Sequence, residues 1–416
     1  MTREPIDRGE CLLWDARDPL RRFRELFELP PGVIYLDGNS LGALPSSTPA
    51  HLEAVVRQEW GHGLIRSWND AGWFDKPQTV GDKLAPLIGA GPGEVVISES
   101  TSVSLFQTLM AAVRLRPGRR VVLVEADTFP TDLYLVEAVQ DLAGLVVRLV
   151  DERTPGCSLD ELLDDEVGVA LLSHVNYRTG QLLDLTETTR RVHAVGALVV
   201  WDLCHSVGAL PIDVSDARAD FAVGCTYKYL NGGPGAPSFV FAAPRHHESV
   251  APPLTGWHGH RRPFAFTPGY EAGEGIKRFR IGTPPLLSMA ALEASLDLWA
   301  DVPMTQIRAK SLALTDMFMR LIDDRLPDLG AVVTPRSHEV RGSQVALRVA
   351  DGYPIMQALI KRGVIGDFRG PDIMRFGFTP LYTSMTQVWD AVDVLCDVVA
   401  TGVWKQWRPT GQSLVT

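Results

Sequence analysis

Two segments place reactive side chains where a fold could use them: VVWDLCHSVG (199–208) and, about 25 residues later, CTYKYLNGGPG (225–235). The first is an apolar run that ends in a carboxylate, Asp202. At the carboxyl end of a buried parallel strand a carboxylate faces the crevice where ligands bind, and it is costly there unless a cation pairs with it. A pyridinium nitrogen is such a cation. In the second segment Lys228 lies between Tyr227 and Tyr229, after the apolar run FAVGC (221–225) and before a Gly- and Pro-rich loop that cannot continue regular structure. A lysine in a partly desolvated pocket has a depressed pKa and can form a Schiff base with an aldehyde. Taken singly, Asp202 has the ordinary reading of a helix cap and Lys228 that of a solvated loop lysine. Taken together, they suit a ligand that carries both a pyridine nitrogen and an aldehyde.

The elements that must position this pair are legible around it. Short β-branched runs, EVVIS (94–98), RVVLVE (120–125), LVVRLV (145–150), VGVALLS (167–173) and ALVVWD (197–202), alternate with helix-length segments. Runs this continuously apolar suit strands buried on both faces, so the expectation is an α/β fold with a mostly parallel sheet covered by helices, extended by SFVFAA (238–243). The intervening segments TSVSLFQTLMAAV (101–113) and TDLYLVEAVQDLA (131–143) have apolar residues at helical spacing, and each opens with Thr or Ser near a capping position. After about residue 285 the texture changes to long amphipathic helices, 289–300 and 306–326, and then to a small antiparallel sheet around 331–335, 344–349 and 373–378. The expected organisation is an N-terminal segment (1–45) packing on a small domain, a large ligand-binding domain (46–288) and the smaller C-terminal α/β domain (289–416). A strand-end Asp followed by a lysine in such a large domain is how fold type I enzymes hold pyridoxal 5'-phosphate (PLP): the Asp keeps the ring nitrogen protonated and the Lys carries the aldehyde.

Composition narrows the alternatives. With 45% hydrophobic and 22% charged residues, the 416-residue chain is neither disordered nor fibrous. Forty Lys plus Arg against fifty Asp plus Glu give a formal charge of −10, which disfavours a nucleic-acid binder or a protein held on anionic lipid, so any anion must be captured locally. The opening MTREPIDRGE is charged and lacks an apolar core, and no stretch approaches the roughly 18 apolar residues of a membrane span, so a cytoplasmic protein is expected. Five scattered cysteines without CxxC spacing argue against a disulfide framework or a thiolate metal site. GAGPGE (89–94) has the wrong spacing for a dinucleotide fingerprint, and GxxxxGK[ST], HExxH and GxSxG are absent. His246, His247, His258 and His260 offer no metal-ligand geometry, and no metal is expected.

Nine segments, in order, carry a family resemblance: YLDGNSLGALP, EWGHGLIRSW, TFPTDLY, SHVNYRTGQLLDL, WDLCHSVGALPIDV, CTYKYLNGGPGAPSFVF, PLTGWHGH, RIGTPPLLSMAALEA and VIGDFRGPDIMRFGFTPLYTS. In these the chain resembles the kynureninase family of PLP-dependent hydrolases of tryptophan catabolism. The resemblance implies hydrolytic Cβ–Cγ cleavage of L-kynurenine, or of 3-hydroxykynurenine, to anthranilate or its 3-hydroxy form and L-alanine. It makes Lys228 the cofactor-bearing lysine that also moves the α-proton, and Asp202 the partner of the ring nitrogen. Phe129 resembles the aromatic on the ring face, and Asp132 a second carboxylate near the ring. Thr101 and Ser102, at a helix start, resemble phosphate contacts, a role that their position as an ordinary N-cap also allows. Ser173, His205, Tyr227 and Trp257 match further cofactor contacts, Tyr227 as a proposed proton donor and Trp257 as a tryptophan reaching across from a partner subunit, which implies a homodimer with shared sites. Without the resemblance, Phe129 reads as core and Trp257 as a loop anchor.

Arg375 resembles the arginine that holds the substrate α-carboxylate, although as a bare item it reads equally as a strand-face ion pair. Ser40, His62 and Thr283 resemble positions around the substrate's ring and carbonyl. Thr283, also near the cofactor, stands where members that prefer L-kynurenine carry Thr and animal members carry Asn. The alternatives on the same scaffold are a cysteine desulfurase or a class V aminotransferase. A desulfurase needs a mobile cysteine late in the chain, and after Cys225 only Cys396 remains, within an amphipathic run.

Overall fold

The computed structural model describes residues 6–407. In chain order its main elements are α1 (Arg8–Ala16), β1 (Ile34–Tyr35), β2 (Val95–Ile97), α2 (Thr101–Arg114), β3 (Val121–Glu125), α3 (Pro130–Ala143), β4 (Val146–Val150), β5 (Val167–Ser173), β6 (Leu198–Asp202), β7 (Phe221–Gly224) and β8 (Phe239–Ala242). There follow α4 (Leu286–Trp299), α5 (Met304–Arg325), β9 (Ala331–Val332), β10 (Gln344–Arg348), α6 (Gly352–Lys361), β11 (Val364–Ile365), β12 (Asp367–Arg369), β13 (Ile373–Gly377) and α7 (Met385–Thr401).

The large sheet runs β2-β8-β7-β6-β5-β3-β4; β8 is antiparallel to both its neighbours and the other pairs are parallel. Its central strands are buried along their whole length, which is why they read as unbroken apolar runs. One apolar cluster fills each face, one built around Trp201, Phe239 and Leu292 and the other around Leu109, Val200 and Phe221. A third core, with Phe318, Phe376 and Leu395, lies under the four-stranded antiparallel sheet β9-β10-β13-β12.

Helix α4 contributes Met289, Leu292 and Leu296 to the first core, so the texture change at residue 285 precedes the change of core. That change falls inside α5, where Ile307 packs in the first core and Leu314 in the third. The N-terminal segment reaches the third core through Cys11 and Leu36, an ion pair from Arg8 to Asp390 (2.7 Å), and the parallel pairing of β1 with β11. Helix starts differ from the expectation in detail. Ser100 rather than Thr101 caps α2, accepting from the Val103 N–H. Phe129 precedes α3 with no side-chain cap, because Pro130 already sets the first helical turn.

Candidate active site

The site lies where β5 and β6 end and α2 and α3 begin. A cavity of about 500 Å³ opens there, lined by Thr101, Ser102, Phe129, Asp132, Asp202, His205, Tyr227 and Lys228 together with Cys204 and Pro285. Strand ends supply the charges and helix starts supply the N–H groups, as an open α/β sheet dictates. Asp202, the last residue of β6, is buried, and its Oδ1 accepts from the Cys204 N–H at 2.7 Å. The two readings of Asp202 thus coexist, since it caps a turn and lines the cavity.

Lys228 leaves β7 through a loop fixed from outside. The Gly42 N–H donates to Tyr227 O at 2.8 Å, and a Cβ on Gly42 would sit 2.3 Å from Lys228 O, so only glycine allows the GNSLG loop to approach this closely. Lys228 Nζ lies 2.9 Å from His205 Nε2, 5.8 Å from the Tyr227 ring centre and 6.0 Å from that of Phe129. Burial drives the His205 imidazole well below its ordinary pKa, and so does the Lys228 charge, so His205 is neutral and Nε2 accepts from the ammonium. Burial alone would also push Lys228 down, as the sequence suggests. The sulfurs of Cys225 and Cys204 and the carboxylate of Asp202 outweigh it, and the ammonium is held above the usual lysine value. The expected depression is therefore corrected by neighbours that the sequence does not bring together.

From the cavity wall inward the carboxyls are layered. Asp132 accepts from Thr128 Oγ1 at 3.0 Å, and Thr128 pairs with Ser173 at 2.9 Å. Burial, reinforced by the Asp202 charge, holds Asp132 well above the carboxylate range. Glu125 accepts from the Ser173 N–H at 2.7 Å and is pushed up to about 8, chiefly by burial. A carboxyl whose folded pKa exceeds its unfolded value keeps a proton that the unfolded chain has already released. The stability that Glu125 contributes therefore falls as pH rises from about 4.5 to about 8. Thermal melts are expected to give a lower midpoint at pH 8.5 than at pH 6, and Glu125→Gln should shrink that difference by at least about 3 °C. An unchanged pH dependence in the variant would contradict the buried-acid assignment.

Arg375 does not line the cavity wall. It is 1% exposed in β13, directly across from Asp367 of β12, and is bound by it through Nε (2.6 Å) and Nη2. Nη2 also donates to Ser40 Oγ at 3.2 Å and Nη1 to Tyr177 O. Its charge is felt at both His205 and Lys228. Asp367, Arg369 and Asp37 complete this cluster, and none was singled out from sequence; a hairpin centred on Pro371 puts residues 367 and 375 opposite each other, which is the signal that could have found them.

Three further expected residues are absent from the lining of this cavity within the single chain. His62 is exposed and bonds Gln58 at 3.0 Å. Thr283 is exposed in the loop before α4. Trp257 stands in an aromatic cluster, 5.6 Å from Trp68 and 6.0 Å from Phe264.

Against known proteins, residues 307–395 match the family model described as the kynureninase C-terminal domain. The kynureninase of Pseudomonas fluorescens is 50% identical over 407 residues, covering 96% of this chain and 97% of the relative. That of Burkholderia pseudomallei is 51% identical over 405 residues, with the same coverage. Among solved structures, the cysteine desulfurase of Thermococcus onnurineus superposes with a TM-score of 0.74 at 19% identity, covering 92% of this chain and 98% of the other. A C-DES variant with glycine covalently linked to the PLP cofactor gives 0.77 at 18% identity, with coverage of 90% and 99%.

Proposed function

The chain belongs to the kynureninase family, and from that premise we propose that it hydrolyses L-kynurenine between Cβ and Cγ, with PLP as cofactor, to anthranilate and L-alanine. It is a PLP-dependent enzyme of fold type I acting on a carbon–carbon bond. The observation that carries the reading is one cavity holding the Lys228 ammonium, the buried Asp202 carboxylate and the N-terminal turn of the 14-residue helix α2.

The residues present fit the cofactor. Thr101 and Ser102 offer hydroxyls and helix N–H groups for a phosphate, with Tyr227 beside them. Phe129 leaves 40% of its surface exposed against the cavity, a face suited to a pyridine ring. Asp132 lines the cavity, with Thr128 and Ser173 bonded behind it. Asp202 would pair the ring nitrogen and Lys228 would hold the aldehyde. PLP bound in this way supplies an electron sink that acidifies the carbon bonds next to the substrate amine.

The chain's own groups do the rest. Arg375 holds the α-carboxylate and so fixes which Cα bond faces the cavity. Lys228 is the base placed to move the proton at Cα, and His205 steadies its nitrogen. Tyr227, whose phenol is raised chiefly by the neighbouring Cys225 sulfur and by burial, keeps its proton until it donates to Cβ as alanine forms. Ser40, beside Arg375, and Thr283 border the substrate, and Thr283 favours L-kynurenine over 3-hydroxykynurenine.

A cytoplasmic homodimer accounts for the residues outside the cavity, with His62, Trp257 and Thr283 completing the neighbouring subunit's site. Ile65 (77% exposed) and Phe266 (82%) make the surface beside them apolar, as an interface requires. No helix among the described residues is long and apolar enough to cross a membrane. The fold neighbours include desulfurases, but Cys396, the one cysteine after Cys225, sits on α7 packed against the third core. With added PLP the purified protein should turn L-kynurenine into fluorescent anthranilate and alanine, turn over 3-hydroxykynurenine more slowly, and sediment at twice the chain mass. A coloured protein that forms no anthranilate would sink the assignment.

A further inference from the structure

The cluster around Arg375 contains more than a substrate-carboxylate site needs if the arginine acts alone. Resting on the reading of Arg375 given above, we propose that Asp367 is the positioning residue of that subsite: it grips the guanidinium side-on, so that the opposite edge faces the substrate. The contact is built into the backbone, because residues 367 and 375 are direct partners across β12 and β13, while the other cross-strand neighbour of Arg375 is Ala346, which offers no competing group.

Of the five guanidinium N–H groups, Asp367 takes Nε–H and one on Nη2, Tyr177 O takes one on Nη1, and Ser40 Oγ accepts the second Nη2–H at 3.2 Å. One Nη1–H is left over. Together with the Nη2–H held only by the serine, it can offer the fork that a carboxylate takes bidentately. An arginine 1% exposed also needs a counter-charge to offset the loss of its hydration. Asp367 supplies it without cancelling the attraction, because Arg369 binds the same carboxylate through Nε (3.0 Å) and Nη2 (2.7 Å). Two guanidinium groups against Asp367 leave an excess positive charge. Asp37, its carboxyl pushed up to about 7 by burial and by the charge of Asp367, does not fully cancel that excess.

The test compares the holoenzyme and its Asp367→Asn, Asp367→Glu and Ser40→Ala variants, using L-kynurenine and its α-carboxamide, with thermal melts to monitor folding. Asp367→Asn should raise KM for L-kynurenine about thirtyfold with kcat within about threefold, and leave KM for the carboxamide near the parent value. Asp367→Glu should recover part of the loss. Ser40→Ala, which keeps the ion pair, should raise KM for the acid alone by about fivefold, and it carries the test if Asp367→Asn does not fold. A KM rise shared by acid and amide, a fall in kcat alone, or an unchanged KM in the variants overturns the proposal while the parent's turnover stands. A parent that does not turn over L-kynurenine overturns the functional reading and this proposal with it.

Discussion

Lys228→Ala is expected to lower kcat for L-kynurenine by at least about 10³-fold, because on the proposed function a single nitrogen would both hold the cofactor and move the proton at Cα. The loss should be chemical rather than structural. The lysine side chain lies in a cavity rather than in a packed core, and the loop that carries it is fixed by backbone contacts to Gly42 that the substitution leaves intact. Circular dichroism and the melting midpoint should therefore stay near the parent's. Borohydride should no longer fix PLP covalently to the chain. Small primary amines added to the buffer should restore part of the proton transfer, with a dependence on amine pKa, since His205 and Asp202 still frame the vacated volume. A variant that retains a tenth of the parent's turnover would remove Lys228 from the reaction.

What made this lysine visible in the sequence also explains what stayed hidden. Asp202 and Lys228 each follow an unbroken apolar run, and a run buried on both faces fixes where its strand ends, so the strand-end residue is placed by local pattern alone. The same holds for Thr101 and Ser102, since a helix start after a strand is a local event. Asp367 was not visible in this way. Its role depends on a hairpin register, and a shift of one residue would have turned it to the other face. The protonation of Lys228 was misjudged for a related reason. Burial is legible in sequence, but the Cys204 and Cys225 sulfurs and the Asp202 carboxylate that oppose it converge only once β6 and β7 lie side by side. His62, Trp257 and Thr283 could be named only through family likeness, because nothing in their local sequence marks a surface residue as part of a site.

Asp202→Asn should cost about 10²- to 10³-fold in kcat at neutral pH, the scale at which removing one fixed electrostatic group slows a reaction. The substitution keeps the size and the acceptor for the Cys204 N–H but removes the negative charge that would keep the cofactor's ring nitrogen protonated. The size of the loss depends on Asp132. In the parent, burial and the Asp202 charge hold Asp132 well above the carboxylate range. Removing the Asp202 charge lets the Asp132 pKa fall. The residual activity of Asp202→Asn should then rise with pH as Asp132 ionises, whereas Asp202→Asn combined with Asp132→Asn should be slower still and lose that rise. Asp132→Asn alone should cost less than Asp202→Asn, because burial already biases Asp132 toward its neutral form. Equal losses in the two single variants, or an Asp202→Asn enzyme within about threefold of the parent, would mean that the negative charge at the end of β6 is not what the reaction uses.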